Sequence, residues 1–360
     1  MKLEDLGYNE RLEKFSLENK LIDFEIGRVI SEHKERYIVK TEKGEFEAEI
    51  TGNLRFSASG REDFPAVGDW VALTQYDDGL SLIHKILPRF SVISRKAVGQ
   101  HGEKQIIAAN IDYALLVQAV DRDFNINRLE RYLTICNASK VSPIIILSKI
   151  DLVNADRVSE IMENIKARIQ NVSIVPISNE SLDGYKQIRA TIQKGKTYCM
   201  LGSSGVGKST LFNTLSGKSI MRTEPISQST NKGRHVTSHR ELIVLDKGGI
   251  LIDNPGMREV GIADSPGGLD LTFDRIVRLS KNCKFKDCTH TNEIGCSVLE
   301  AVEKGEIDKA SYENYVKMER EKAHYETTAA EKRKKDKEFG KFIKNYKKSR
   351  NKNKNDDSIG

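Results

Sequence analysis

The sequence predicts a multidomain chain with a small N-terminal β-barrel, a central α/β domain of the phosphate-loop class and a C-terminal, mostly helical, metal-binding domain. Three observations carry that expectation. Five short runs between Phe24 and Ile86 alternate apolar and polar residues. Gly202-Ser203-Ser204-Gly205-Val206-Gly207-Lys208-Ser209 fits G-x-x-x-x-G-K-[ST] between a strand-like and a helix-like segment. Cys283, Cys288, His290 and Cys296 fall within fourteen residues. The divisions expected are 1–22 as an extension, 23–98 as barrel, 99–268 as the α/β domain, 269–330 as the metal-binding domain and 331–360 as a basic tail.

The barrel rests on Phe24 to Ile30, Arg36 to Thr41, Glu45 to Ile50, Asp69 to Thr74 and Leu80 to Ile86, whose period of two marks half-buried strands. Glu42-Lys43-Gly44 and Asp77-Asp78-Gly79 read as hairpin turns. Five short antiparallel strands at this spacing fit a small barrel of the oligonucleotide-binding (OB) type, although periodicity alone gives any small barrel equal standing. Lys34, Arg36, Arg55, Arg61, Arg89, Arg95 and Lys96 are its candidate nucleic-acid contacts; solvated surface charge is the plainer reading of each. Met1-Lys2-Leu3-Glu4-Asp5 opens a charged stretch and no apolar run is long enough to cross a bilayer, so a soluble, cytoplasmic protein without a membrane partner is expected.

The base is read next. Pro143-Ile144-Ile145-Ile146-Leu147 has the unbroken apolar character of a strand buried on both faces. Ser148-Lys149-Ile150-Asp151 follows it, a variant of the N-K-x-D tetrapeptide in which the Asp carboxylate accepts guanine N1–H and the exocyclic amine. Adenine has no matching donors. Ser148 replaces the Asn whose carboxamide bridges guanine N7 to the phosphate loop, so weakened guanine affinity is expected, with specificity kept by Asp151. Ile174 to Asn179 reads as the next strand and the loop over the guanine ring, with Ser178 in that loop.

In the phosphate loop, Gly202, Gly205 and Gly207 let the backbone N–H groups of Ser203, Ser204, Val206 and their neighbours turn toward phosphate oxygens. Lys208 supplies charge to the β and γ phosphates, Ser209 offers a hydroxyl to Mg²⁺, and Thr210 continues the helix whose N-terminus faces the anion. Ile250-Leu251-Ile252-Asp253-Asn254-Pro255-Gly256 then ends a strand in D-x-x-G, Asp253 holding Mg²⁺ through water and Gly256 N–H meeting the γ-phosphate. Between them, Ile226 to Arg240 is polar and contains Gly233, as a switch loop should. Thr237 is the candidate for the hydroxyl that closes on Mg²⁺, with Thr230 its competitor. The motif order is thus base reader, base cap, phosphate loop, first switch, second switch. An ordinary small GTPase starts with the phosphate loop, so the central domain is circularly permuted, which a parallel sheet with surface termini tolerates.

Cys283-x4-Cys288-x-His290-x5-Cys296 offers three thiolates and one imidazole, a common closed set for structural zinc. Cys136 and Cys199 lie in apolar runs and read as core. The net charge of +6 is concentrated at one end, because residues 331 to 354 hold twelve Lys/Arg against three acidic residues. Phe339, Phe342, Ile343 and Tyr346 fall at helical spacing within that run. RNA is the first reading of this segment, a membrane surface the second, a solvated tail the third.

The permuted order, the barrel before it and the Cys/His cluster after it resemble the ribosome small-subunit-dependent GTPase A (RsgA/YjeQ) family over nearly the whole chain. The matching stretches are Phe64 to Val71, Pro88 to Arg95, the phosphate loop, Gly233-Arg234-His235-Val236-Thr237, Asp253-Asn254-Pro255-Gly256 and the Cys/His set. The resemblance implies an OB barrel, a permuted GTPase domain and a zinc domain. It also implies late maturation of the small ribosomal subunit, with binding to its rRNA and with GTP hydrolysis to GDP and phosphate stimulated by that particle. The water-positioning Gln that follows D-x-x-G elsewhere is apolar in this family, and here that position is Met257. His235, two residues before Thr237, is then the polar candidate for catalysis. A monomer is expected. Two functions of different class follow: a particle-activated GTP hydrolase, or an RNA-binding assembly scaffold whose nucleotide only sets shape. An ATP-dependent phosphotransferase is disfavoured by Asp151.

Overall fold

The computed structural model describes residues 1–33, 35–76, 80–96, 104–121, 124–217, 240–253 and 267–326. The five expected runs form β1 (Glu25–His33), β2 (Arg36–Lys40), β3 (Glu45–Ile50), β4 (Trp70–Gln75) and β5 (Leu80–Ile86). A helix, α1 (Glu10–Glu18), precedes them, and α2 (Gly52–Ser57) joins β3 to β4. The strands follow the order β1-β2-β3-β5-β4, and β1 pairs again with β4, closing the barrel. One expectation is corrected: β3 and β5 run parallel, with Ile50 opposite Ile83. The closing β4 runs antiparallel to both of its neighbours, so an odd-membered ring must hold one parallel pair, which the connection through α2 supplies. Gly44 turns the β2–β3 hairpin as expected, and Asp77-Asp78-Gly79 lies outside the described residues.

The 1–22 extension is integral to the barrel. Leu6, Leu12 and Leu21 are buried with Trp70, Ala72 and Leu87. Beyond the barrel, β6 (Val92–Lys96) and β7 (Lys104–Ala109) pair antiparallel as a separate two-stranded sheet.

The α/β domain comprises β8 (Tyr113–Ala119), α3 (Ile126–Ser139), β9 (Ser142–Ser148), α4 (Ala155–Arg168), β10 (Ser173–Pro176), α5 (Tyr185–Thr191), β11 (Thr197–Leu201), α6 (Lys208–Ser216), β12 (Arg240–Val244) and β13 (Ile250–Asp253). The sheet order is β10-β9-β8-β11-β13-β12, with all pairs parallel except the antiparallel β12–β13. β9 is buried on both faces: Ile145 and Leu147 enter the core with α3 and α4 residues, Ile144 and Ile146 the core with α5 and α6 residues. This explains its unbroken apolar run. From β8 the chain builds outward to β9 and β10, and from β11 it builds the other way to β13. The carboxyl ends of β8 and β11 therefore flank a topological switch point, where α/β sheets bind ligands.

β12 also pairs antiparallel with β1, Ser31 opposite Glu241 and Glu32 opposite Arg240, making barrel and α/β domain one eleven-stranded sheet. The C-terminal region is helical, with α7 (Gly268–Thr272), α8 (Asp274–Ser280), α9 (Ser297–Glu303) and α10 (Lys309–Glu326) around their own core of Leu269, Phe273, Ile276, Val298, Tyr315 and Met318. Among the described residues no helix is long and apolar enough to cross a membrane.

Candidate active site

The phosphate loop leaves β11 at that switch point. Gly202 has φ +157°, and a Cβ there would lie 2.3 Å from the Val117 carbonyl of β8, so this position admits only glycine. Gly205 and Gly207 have φ of +75° and +92°. Lys208 opens α6 and its Nζ donates to the carbonyls of Gly202 and Ser203 at 2.8 and 2.5 Å, holding the charge over the loop. Ser209 and Thr210 occupy the first turn of α6.

The base-reading loop arrives from β9, fifty residues earlier in the chain. Ser148 is fully buried, and its Oγ donates to the Val206 carbonyl at 2.6 Å. The hydroxyl bond that a serine can give is thus made to the phosphate loop, because Val206 stands directly against the end of β9. Lys149 adopts a left-handed φ of +62°, and its Nζ pairs with Asp121 Oδ2 at 3.1 Å. Asp151 Oδ1 accepts from Ser178 Oγ at 2.5 Å, and the N–H groups of Glu180 and Ser181 donate back to that Oγ. Ser178 thus orients the carboxylate and shapes the loop at once. Asn179 Nδ2 donates to the Gly207 carbonyl at 3.2 Å, and Tyr185 Oη donates to Asn179 Oδ1 at 2.6 Å. Sequence reasoning placed Asn179 in the capping loop without giving it a role, and missed Asp121 and Tyr185, which come from other segments of the chain.

Asp253 ends β13 opposite Glu241 of β12, beside β11. His235, Thr237, Gly256 and Met257, together with Thr230 and Gly233, lie outside the described residues, as does the 331–360 tail. The structure therefore brings together Ser148, Lys149, Asp151, Ser178 and the loop from Gly202 to Thr210, a set able to hold a nucleotide by its base and its phosphates.

Cys283, Cys288, His290 and Cys296 converge after α8, their ligand atoms all within 4.8 Å of one another. Cys283 Sγ lies 3.8 Å from Cys296 Sγ, and His290 Nδ1 lies 3.3 to 3.6 Å from the three sulfurs. A tetrahedral ion with ligands at about 2.3 Å has edges of about 3.8 Å, so the set fits a metal that prefers sulfur and imidazole. Tyr312 Oη donates to the His290 carbonyl at 2.5 Å, and the Glu293 carboxylate accepts from Thr289 N, Thr291 N and Asn292 N. The Thr289 hydroxyl, which also donates to this carboxylate, and those backbone bonds hold its pKa well below the usual carboxylate range. Cys136 and Cys199 are buried core residues, as expected.

Two of the candidate nucleic-acid contacts have protein partners. Arg89 makes two bonds to the buried Asp69 carboxylate and donates to the carbonyls of Glu62 and Phe64, so it braces the loop before β4. Arg55 pairs with Glu35 at the surface. Lys34 lies outside the described residues.

A family model described as RsgA GTPase matches residues 86–263. A second, described as ABC transporter, matches residues 185–355, a range that also contains the phosphate loop. The small ribosomal subunit biogenesis GTPase RsgA 1 of Bacteroides thetaiotaomicron is 39% identical over 345 residues, covering 95% of this chain and 96% of that protein. Its counterpart from Methanosarcina acetivorans is 42% identical over 311 residues, covering 86% and 82%. Among solved structures, YjeQ from Thermotoga maritima matches with a TM-score of 0.61 at 26% identity, covering 83% of this chain and 98% of that one. YloQ, described as a circularly permuted GTPase, matches with a TM-score of 0.62 at 26% identity, covering 85% and 97%. With a permuted phosphate-loop domain between a closed five-stranded barrel and a Cys3His domain, and with relatives of this identity along almost its full length, the chain belongs to the RsgA GTPase family.

Proposed function

We propose that this GTPase acts on the small ribosomal subunit late in its assembly, contacts its rRNA, and is stimulated by that particle. The observation that carries the nucleotide half of this reading is the contact between base-reading and phosphate loops, made by Ser148 on the Val206 carbonyl and by Asn179 on that of Gly207. Asp151, oriented by Ser178, takes guanine N1–H and the exocyclic amine, and Lys149, held by Asp121, flanks the base. The loop from Gly202 to Thr210 takes the phosphates. Mg²⁺ enters with GTP and would be held by Ser209, Asp253 and Thr237, neutralising charge on the phosphates. Gly256 N–H meets the γ-phosphate, and His235 supplies the polar group that Met257 cannot.

Zinc is the ion assigned to Cys283, Cys288, His290 and Cys296, because four protein ligands fill a tetrahedron and leave no position for substrate. Its role is structural: it fixes the loop between α8 and α9. The family relatives are named for small ribosomal subunit biogenesis. The twelve Lys/Arg of residues 331 to 354 suit phosphodiester backbone, and a cytoplasmic monomer is the form in which we place the activity.

Steady-state GTP turnover with and without purified small subunits tests the reading. Stimulation of tenfold or more is expected, about 1.4 kcal/mol or more off the barrier. Unchanged turnover on a particle that the protein binds would leave an assembly scaffold with incidental hydrolysis. His235→Ala should keep GTP affinity and lose most of the stimulated rate.

A further inference from the structure

We propose that Asn179 is a positioning residue for the nucleotide: its carboxamide, aimed by Tyr185, clamps the base-cap loop to the phosphate loop and makes good the Asn that position 148 lacks. The inference rests on the guanine-nucleotide reading above.

A carboxamide carries two donors and an acceptor, so one Asn after β9 can grip the phosphate loop and still hold a second partner. A serine hydroxyl donates one hydrogen bond, and Ser148 gives that bond to the Val206 carbonyl. The next carbonyl along the loop, that of Gly207, is gripped by Asn179 Nδ2. Two adjacent carbonyls of the phosphate loop are thus held by two different base-side loops, one after β9 and one after β10. Tyr185, only 5% exposed at the start of α5, donates to Asn179 Oδ1 and so turns the amide with its NH2 toward Gly207. Contact between the loops is close: a Cβ at Gly207 would stand 2.5 Å from Asn179 Nδ2. With its oxygen on Tyr185 and an N–H on Gly207, Asn179 has no role as the base reader. That task stays with Asp151, whose orienting partner Ser178 is the residue before Asn179.

A clamp of this kind acts on residence time. Freed from the phosphate loop, the segment carrying Ser178 and Asn179 can move away from the base while the phosphates stay held, and nucleotide leaves faster whichever phosphate number it carries. Base preference should not change.

The full-length protein loaded with fluorescent mant-GDP or mant-GTP reads this directly by stopped-flow dissociation. Asn179→Ala should release both nucleotides about tenfold faster, since it removes the bond to the Gly207 carbonyl together with the one from Tyr185, and Tyr185→Phe about threefold faster, since it removes only the orienting bond to Asn179. Adding Ser148→Asn to Asn179→Ala should bring the rate back to within about threefold of the parent, because the carboxamide then returns to the other loop. Asp151→Asn serves as the separate check, expected to exchange guanine for xanthine preference. Unchanged release from Asn179→Ala and Tyr185→Phe, with the Asp151 exchange seen, would overturn the clamp and leave the guanine reading standing. A double variant as fast as Asn179→Ala would overturn the exchange with position 148. Absence of the Asp151 effect would remove the guanine reading itself. Should Asn179→Ala fail to fold, Tyr185→Phe, which keeps the ring, decides the matter.

Discussion

The α/β domain meets its two neighbours in different ways. Toward the barrel the seam is made of backbone and core: β1 pairs with β12, and Ile30 and Val67 share one apolar cluster with Ile93, Ile107, Ile145 and Ile252. At its centre Arg28, 1% exposed, donates to the carbonyls of Leu6, Gly68 and Asn110, one each from the N-terminal extension, the barrel and the segment entering β8. Burial pushes its pKa down to about 10, so the guanidinium remains charged at neutral pH. Toward the C-terminal domain the seam is made of side chains. Glu130 on α3 accepts from Arg168, Ser311 and Asn314, Arg131 pairs with Glu321, and Thr134 and Asn137 donate to Thr272. Gly268 lets α7 lie against α3, where a Cβ would stand 2.2 Å from the Thr134 carbonyl. The C-terminal domain keeps its own core. A seam of shared strands and shared core makes one cooperative unit, whereas a seam of polar side chains between separate cores joins two.

The largest effect should come from breaking the metal site. Cys288→Ser, or removal of the metal by a chelator, should melt the 283–296 segment, since structural zinc contributes on the order of 10 kcal/mol to the folding of small domains. Metal analysis should find about one zinc per intact chain. If the two-unit picture holds, GTP affinity survives; loss of GTP binding with the zinc would show the C-terminal seam to be as cooperative as the barrel seam.

Arg28→Met should cost about 3–5 kcal/mol, because it strands the Leu6 and Asn110 carbonyls and leaves that of Gly68 to Asn110 Nδ2 alone. Denaturant unfolding followed both by the single Trp70 of the barrel and by bound nucleotide should show the two transitions moving together. Separate shifts would break the claim that barrel and α/β domain unfold as one.

Glu130→Ala leaves the half-buried Arg168 with only Asn127 and the more distant Asp308, and Asn314 without its buried acceptor, and should also cost a few kcal/mol, on the order of 3. Here the loss should appear as earlier release of the C-terminal domain in proteolysis or hydrogen exchange, with the nucleotide-bound transition nearly in place. Asn314→Ala, which removes one donor from the same carboxylate, should move that release by about 1 kcal/mol. Equal shifts in both domains would merge the two seams into a single kind.

The residues proposed to hold nucleotide and metal were legible in the sequence because each needs a particular atom set at a particular local spacing. The phosphate loop needs glycines where φ is positive, the apolar run of β9 needs both faces buried, and four soft ligands within fourteen residues need an ion between them. Alternation likewise marked the barrel strands, since a period of two is a property of one strand alone. Pairing partners are not. The parallel β3–β5 pair, the β1–β12 junction and the course of Arg89 to Asp69 depend on which segments meet in space. That Ser148 offers a hydroxyl in place of a carboxamide is plain from its residue type; only the folded chain puts that hydroxyl on Val206 and Asn179 on Gly207. Sequence by itself determined the local chemistry of this protein, which short-range sterics and ligand geometry impose. Tertiary structure decided how the domains are joined and which polar groups satisfy each other, because buried donors and acceptors take whichever partner the packing brings within reach, however far away it lies in the chain.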